Sequence, residues 1–388
     1  MKKRILIPYA TYGSGHKTIA NYIKDYFEQN GEYECLTIDL INYSFPIIGT
    51  FSKKVTENLM TKLPSIWSLI YFVFDNKISS YVSGKINIKL LDNKKLRNDI
   101  IEFNPDITIA THFFGSDIIN YYNKKGYTDS KLVTVVTDYK SHDFWLNNIK
   151  ETDAIIVSSF EERLNLIKKG FKNKQIYTSG IPICMDTLNN LKVDNLLKKY
   201  KCNNNKLNIL FFVGGGNGAL INLVYFKELL KNKYDVNILF VAGRNKEAER
   251  KAKEYVKRYK NKNVKIFGFV SNINELYKIS DIVITKPGGA QITECILFNK
   301  PMILIKSNGG QEIYNRKYLT RNGYAKWART KNVFNKEIYL LINDDKERYK
   351  MIKKISKIKQ EKSIEKLFKI VEKLKWIWYN MFLLRKKW

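Results

Sequence analysis

Little in this chain is suited to disulfides or to metal. Its four cysteines, Cys35, Cys184, Cys202 and Cys295, are scattered and form no C-x-x-C pair, so neither a disulfide framework nor a compact zinc site is expected. A reducing cytoplasm fits that pattern. Long apolar runs are also missing. The stretch IWSLIYFVF, Ile66 to Phe74, is less than half of the ~20 residues a bilayer-spanning helix requires. The first apolar run, from Ile5, is short and ends in glycine and histidine, so it reads as a buried strand and not as a signal peptide. Acidic residues are scarce as well: 37 Asp+Glu face 68 Lys+Arg, a net charge of +31. That excess is more than solubility needs and implies an anionic partner, whether nucleic acid, acidic lipid or a phosphorylated substrate. No recognisable nucleic-acid motif is present, and the lysines are spread along amphipathic helices. A nucleic-acid-binding protein remains the alternative from outside the enzymes, and its affinity would fall steeply with salt.

What is present is a repeating α/β pattern, in a chain of 388 residues that is long enough for two domains. Short β-branched runs start at Arg4, Tyr33, Asp106, Lys131, Asp153 and Gln175, with room for helical crossovers between them. Strands buried on both faces of a parallel sheet read this way. A second series starts at Leu207, Asp235, Asn263, Asp281 and Lys300, after the polar segment KYKCNNNK at 199–206. The expected organisation is a first domain over 1–182, a linker over 183–206, a second domain over 207–345 and a basic amphipathic helix with an aromatic tail over 346–388. That tail, WIWYNMFLLRKKW from Trp376, suits either a packing helix with a frayed end or an interfacial anchor.

Two glycine-rich turns in the second domain follow strands. In TKPGGAQITE, Thr285 to Glu294, Gly288 and Gly289 would let a ligand approach the backbone at a helix N-terminus, and Glu294 could accept hydrogen bonds from a ribose diol. FVGGGNG, Phe212 to Gly218, offers further backbone donors at Gly215 and Gly216. Either alone suits an ordinary strand-to-helix turn; together in one domain they favour a nucleotide diphosphate site. In SNGGQEIYN, Ser307 to Asn315, Gln311 and Glu312 could read sugar hydroxyls or belong to a capped surface helix.

The only histidines, His16, His112 and His142, all fall in the first half, each at or just after a predicted strand end. Open α/β sheets place ligands along that edge. A lone histidine in a turn is more often structural, but three at one edge favour a role for His16, within YATYGSGHKTIA. A carboxylate such as Asp138 could orient it or raise its basicity.

In register, GSGHKTIA from Gly13, TDYKSHDFW from Thr137, GIPI from Gly180, KPGGAQITEC from Lys286 and GQEIYN from Gly310 resemble the signatures of the monogalactosyl- and monoglucosyl-diacylglycerol synthases of glycosyltransferase family 28. The resemblance spans roughly residues 1–345. It implies a GT-B fold: two Rossmann-like α/β domains facing across a cleft, the lipid acceptor on the first and the UDP-sugar on the second. The implied reaction is an inverting transfer of a hexose from UDP-glucose or UDP-galactose to diacylglycerol, with no metal and no further cofactor. On that basis His16 takes the acceptor proton, with Gly13, Gly15, His112, Asp138, His142 and Trp145 on the acceptor side. Gly215, Gly216, Gly288 and Gly289 line the diphosphate, with Arg244 near it. Phe269 and Val270 meet the uracil, Glu294 the ribose, and Gln311 and Glu312 the hexose. Two departures, the proline-free KSNGGQ segment and Asn217 in the first glycine turn, leave the sugar open between glucose and galactose; the lysine, asparagine and isoleucine bias, which suggests an AT-rich bacterial genome, makes glucose the expectation. The related N-acetylglucosaminyltransferase of peptidoglycan synthesis, with a polyprenyl-linked acceptor, is the enzymatic alternative; TDYKSHDFW and the aromatic stretch argue against it.

The resemblance also links the stretch between Phe45 and Phe74 to membrane insertion. Phe45, Phe51, Trp67 and Tyr71 interleave with Lys53 and Lys54 there, the composition of a surface that meets headgroups and anionic lipid, although a buried hydrophobic helix pair would read similarly. The expectation is a peripheral, monotopic protein on the cytoplasmic face of the membrane, with no nucleic-acid partner.

Overall fold

Runs such as Ile5-Leu6-Ile7 and Ile209-Leu210-Phe211 are apolar at every position, so each needs cover on both faces, and helices supply it on either side of a parallel sheet. The computed structural model describes residues 2–11, 15–44, 77–184, 192–214, 218–307 and 310–385. It divides into two compact units, the first taking in the described residues up to Cys184 together with those from Lys362 onward.

In the first unit β1 (Lys3–Tyr9), β2 (Tyr33–Asp39), β3 (Ile107–Ala110), β4 (Lys131–Val135), β5 (Ala154–Ile156) and β6 (Ile176–Tyr177) form one sheet in the order β2-β1-β3-β4-β5-β6. Every neighbouring pair is parallel. The chain winds one way from β1 to β2 and the other way from β3 onward, so the switch point lies between β1 and β3. In the second unit β7 (Asn208–Phe212), β8 (Asn237–Val241), β9 (Val264–Phe267), β10 (Ile282–Thr285), β11 (Met302–Leu304) and β12 (Ala325–Trp327) pair in parallel as β12-β11-β10-β7-β8-β9. Its switch point lies between β7 and β10. Phe211, Phe226 and Phe240 stack in its core, with ring centroids 4.4 to 5.6 Å apart.

Two details differ from the sequence reading. Strand β12, AKW, was not anticipated, because three residues with a lysine at the centre make no apolar run. The single helix expected from about Asp345 is two, Asp345–Ser356 and Ser363–Arg385. The former buries Met351 and Ile355 in the second unit, whereas the latter buries Leu367 and Val371 in the first, so one continuous helix would have to serve two cores. Phe368 of the last helix packs its ring against Tyr26, Phe27 and Tyr33, at 5.0 to 5.9 Å between centroids. The expected lipid-facing residues Phe45, Phe51, Lys53, Lys54, Trp67 and Tyr71 lie outside the described residues, as do Gly13, Gly215 and Gly216. Among the described residues no helix is long and apolar enough to cross a membrane.

Candidate active site

The first unit places His16 beside its switch point. Gly15 opens the helix Gly15–Asn30 that follows β1, and His16 in its first turn reaches Thr111, the residue after β3. His16 Nδ1 lies 2.8 Å from the Thr111 carbonyl oxygen and 3.1 Å from Thr137 Oγ1, beyond β4. A carbonyl only accepts, so Nδ1 carries the proton and Nε2 keeps its lone pair. The ring is partly exposed. Burial lowers its pKa below the ordinary 6.5, a shift the bond to Thr111 partly offsets, so the imidazole is neutral at pH 7. This is the state a general base needs.

The other two histidines belong to the wall around it. His112 packs edge-on against His16 with centroids 4.8 Å apart, and its Nδ1 accepts from Phe114 N at 3.2 Å to cap the helix Phe113–Lys124. That role requires a neutral ring, and burial together with the neighbouring His16 and His142 holds its pKa well below 6.5. His142 is lowered to about 3, mainly by burial and further by His16 and Lys169. Phe113 bridges the two, and Trp145 is buried 6.0 Å from the His142 ring. Glu162 pins this loop, its Oε1 accepting from Ser141 N at 3.0 Å. The groups at Nδ1 of His16 are a carbonyl and a hydroxyl, where Asp138 was expected as a possible orienting carboxylate; Asp138 itself is buried.

In the second unit Gly214 and Lys286, just past β7 and β10, approach one another at the other switch point. Gly214, at φ +91°, lies two residues past β7, and a Cβ there would stand 3.5 Å from Lys286 Cδ, beyond β10. Lys286 Nζ donates to Glu312 Oε1 at 2.6 Å. The second carboxylate oxygen, Oε2, is buried without a hydrogen-bond partner among the described residues, an acceptor held ready for a donor. Glu312 stands in the first turn of the helix Gln311–Arg321, after Gly310 at φ +61°, ψ −137°, a backbone only glycine adopts readily. Asn315 donates to the Pro287 carbonyl at 3.0 Å, tying that helix to the Pro287-Gly288-Gly289 turn. Gly288 caps the helix Gly289–Leu297. Glu294 is buried in it, Oε2 accepting from Tyr277 at 2.9 Å. Arg244 lies over the ring of Phe269, 4.7 Å from its centroid; that ring is 66% exposed, beside half-buried Val270. The structure therefore gathers Lys286, Gly288, Gly289, Gln311 and Glu312 at one point, and pairs Arg244 with Phe269 at the end of β9.

Residues 16–183 match the family model for monogalactosyldiacylglycerol (MGDG) synthase, and residues 209–368 match the glycosyltransferase family 28 C-terminal domain. The chain belongs to glycosyltransferase family 28. Among curated relatives of this family-28 chain is a processive diacylglycerol beta-glucosyltransferase of Bacillus thuringiensis (strain Al Hakam), 29% identical over 349 residues, covering 88% of this chain and 86% of the relative. Similar solved structures include the S. aureus MnaA–UDP complex, with TM-score 0.60, 15% identity and coverage of 94% of this chain and 95% of the other. Acinetobacter baumannii MurG gives 0.58 at 11% identity, covering 96% and 99%. These confirm the expected fold, two Rossmann-like domains of GT-B type. Three residues that the structure adds to these clusters, Thr111, Thr137 and Lys286, are not among the candidates singled out from the sequence. Each sits just past a strand end, and that position was the available signal.

Proposed function

We infer that the protein is an inverting glycosyltransferase that moves a hexose from a UDP-sugar to the free hydroxyl of diacylglycerol, with glucose the preferred sugar, at the cytoplasmic face of a membrane. The observation that carries this reading is His16: a neutral imidazole fixed through Nδ1 by a backbone carbonyl, with Nε2 left to accept a proton. The lipid hydroxyl attacks the anomeric carbon from the side opposite the diphosphate. The new C–O bond forms as the bond to UDP breaks, and the hydroxyl proton passes to Nε2. UDP leaves with the electron pair of the broken bond. The second unit supplies the donor contacts from its own side chains. Lys286 and Arg244 bring positive charge to the diphosphate, the turn at Gly288 and Gly289 offers backbone N–H groups at a helix N-terminus, and Phe269 presents a face to the base. Glu312 Oε2 accepts from a hexose hydroxyl, and Gln311 contacts the same sugar. A metal is not required on this reading, since cationic side chains meet the charge on the leaving group.

The relatives named as diacylglycerol glucosyltransferases support the acceptor and favour glucose over galactose. The test is direct. The purified chain is given diacylglycerol in mixed micelles with UDP-glucose, UDP-galactose or UDP-N-acetylglucosamine, and lipid products are separated by thin-layer chromatography and weighed by mass spectrometry. A hexosyl-diacylglycerol formed fastest from UDP-glucose is expected. Transfer only from UDP-N-acetylglucosamine would overturn the reading.

A further inference from the structure

The helix Ser363–Arg385 has two faces with different tasks. Leu367, Phe368 and Val371 pack into the first unit, while Lys366, Lys369 and Lys373, three to four residues apart, share a stripe on another side. That stripe forms one wall of a groove of about 650 Å³ whose other wall is the chain around β6. Among the described residues Arg163 and Lys174 bring the cations of the groove to five, and no carboxylate lines it. Arg163 is oriented by neutral acceptors: Asn173 Oδ1 at 3.1 Å from Nε and 2.7 Å from Nη2, and the carbonyls of Ile176 at 2.6 Å and Asn173 at 3.3 Å. Among the described residues no carboxylate is paired with it. A second, independent feature lies in the same wall. The hydroxyls of Thr178 and Ser179 are buried without a partner among the described residues, Ser179 being only 3% exposed. A buried hydroxyl left unmatched costs about 1–3 kcal/mol, so a site that holds two of them is built for a ligand with hydrogen-bonding oxygens.

We propose that this groove is an anion-docking site that seats the phosphodiester headgroups of an anionic bilayer. A planar guanidinium fixed among lysines and hydroxyls suits a phosphate, and the helix that supplies the lysines runs on directly into WIWYNMFLL. Lysine at headgroup level followed by tryptophan, tyrosine and phenylalanine is the composition of a segment lying in the bilayer interface. None of the residues lining the groove belongs to the cluster around His16 in the same unit. The inference rests on the reading above in that a diacylglycerol acceptor has to be met at a membrane.

The experiment measures binding of the full chain, without any UDP-sugar, to vesicles of phosphatidylcholine with or without a third of phosphatidylglycerol. The variant Lys369→Gln/Lys373→Gln alters two exposed side chains; Lys174→Gln/Lys369→Gln tests both walls; Lys257→Gln/Arg258→Gln is the charge-matched control elsewhere. Loss of about fivefold per lysine, and so about 25-fold for each groove variant, is expected on anionic vesicles, with little change on neutral ones. The control stays within about twofold. Groove variants that bind like the parent, or a control that falls equally, would overturn the proposal. So would release by inorganic phosphate that chloride at equal ionic strength does not reproduce, since the groove would then take a free anion. Hexose transfer in neutral detergent micelles is scored separately: its absence counts against the enzymatic reading and leaves the vesicle result standing.

Discussion

The sharpest consequence of the donor-side geometry concerns Glu312→Gln. The side chains are nearly equal in size, so the helix Gln311–Arg321 and its tie from Asn315 to Pro287 stay in place. Two things change. Lys286, 2.6 Å from Oε1, loses its counter-charge, and the buried Oε2, which has no partner among the described residues, gives way to an uncharged amide group. If Oε2 accepts from a hexose hydroxyl, a hydrogen bond to a charged group is lost, worth about 1.5–3 kcal/mol. That corresponds to roughly a 10- to 150-fold drop in kcat/KM for the UDP-hexose. UDP alone has no hexose, so its affinity should hold or rise slightly, because the freed ammonium of Lys286 can turn to the diphosphate. Titration calorimetry with UDP and with UDP-glucose, beside initial rates of lipid product formation, separates the two. An equal loss of affinity for both ligands would refute the assignment of Oε2 to the sugar, and an unchanged kcat/KM would remove Glu312 from the site.

Other expectations follow from the first unit. On the proposed mechanism activity requires neutral His16, whose pKa is lowered from 6.5 by burial, so kcat/KM should fall in an acid limb centred below 6.5; a limb centred at or above 6.5 would contradict the burial argument. Thr137→Val removes the 3.1 Å contact to Nδ1 and spares the Thr111 carbonyl, so kcat should drop by about 2- to 12-fold with KM unchanged; a change confined to KM would show that Thr137 does not position the ring. Asp117 is buried against Asn148, and burial raises its carboxyl from 3.8 to about 7. A raised acid pKa means the folded state holds the proton longer, so this group's contribution to stability is full below about pH 4, is lost by about pH 7, and totals on the order of 4 kcal/mol. Urea unfolding of Asp117→Asn should lack that decline, and a variant with the parent's pH dependence would place its origin elsewhere.

The strands were legible because parallel sheets demand cover on both faces, which writes unbroken apolar runs such as AII of β5 into the sequence; β12, with Lys326 at its centre, satisfies no such rule. The turns at Gly288 and Gly310 could be found from glycine's backbone freedom, and His16 from its position after β1. The partners of those residues were not legible. Thr111 and Thr137 look like ordinary strand-end threonines, and only the β2-β1-β3-β4 order brings residues 95 and 121 positions away onto one imidazole nitrogen. A carboxylate such as Asp138 is the natural choice for orienting a histidine by chemistry, yet it is the Thr137 hydroxyl, two residues past the end of β4, that lies 3.1 Å from Nδ1. The return of the last helix to the first unit rests on contacts such as Tyr33 with Glu372, 339 positions apart, which no local pattern encodes.

The central claim, that His16 deprotonates the lipid hydroxyl in a hexosyl transfer, is tested most directly by measuring both turnover and UDP affinity in His16→Ala. Loss of a positioned general base removes about 10²- to 10⁴-fold in rate. The account predicts that loss in kcat for hexosyl-diacylglycerol formation from UDP-glucose, with UDP binding to the second unit unchanged. Turnover within about threefold of the parent would contradict it, because no positioned base costs so little to remove.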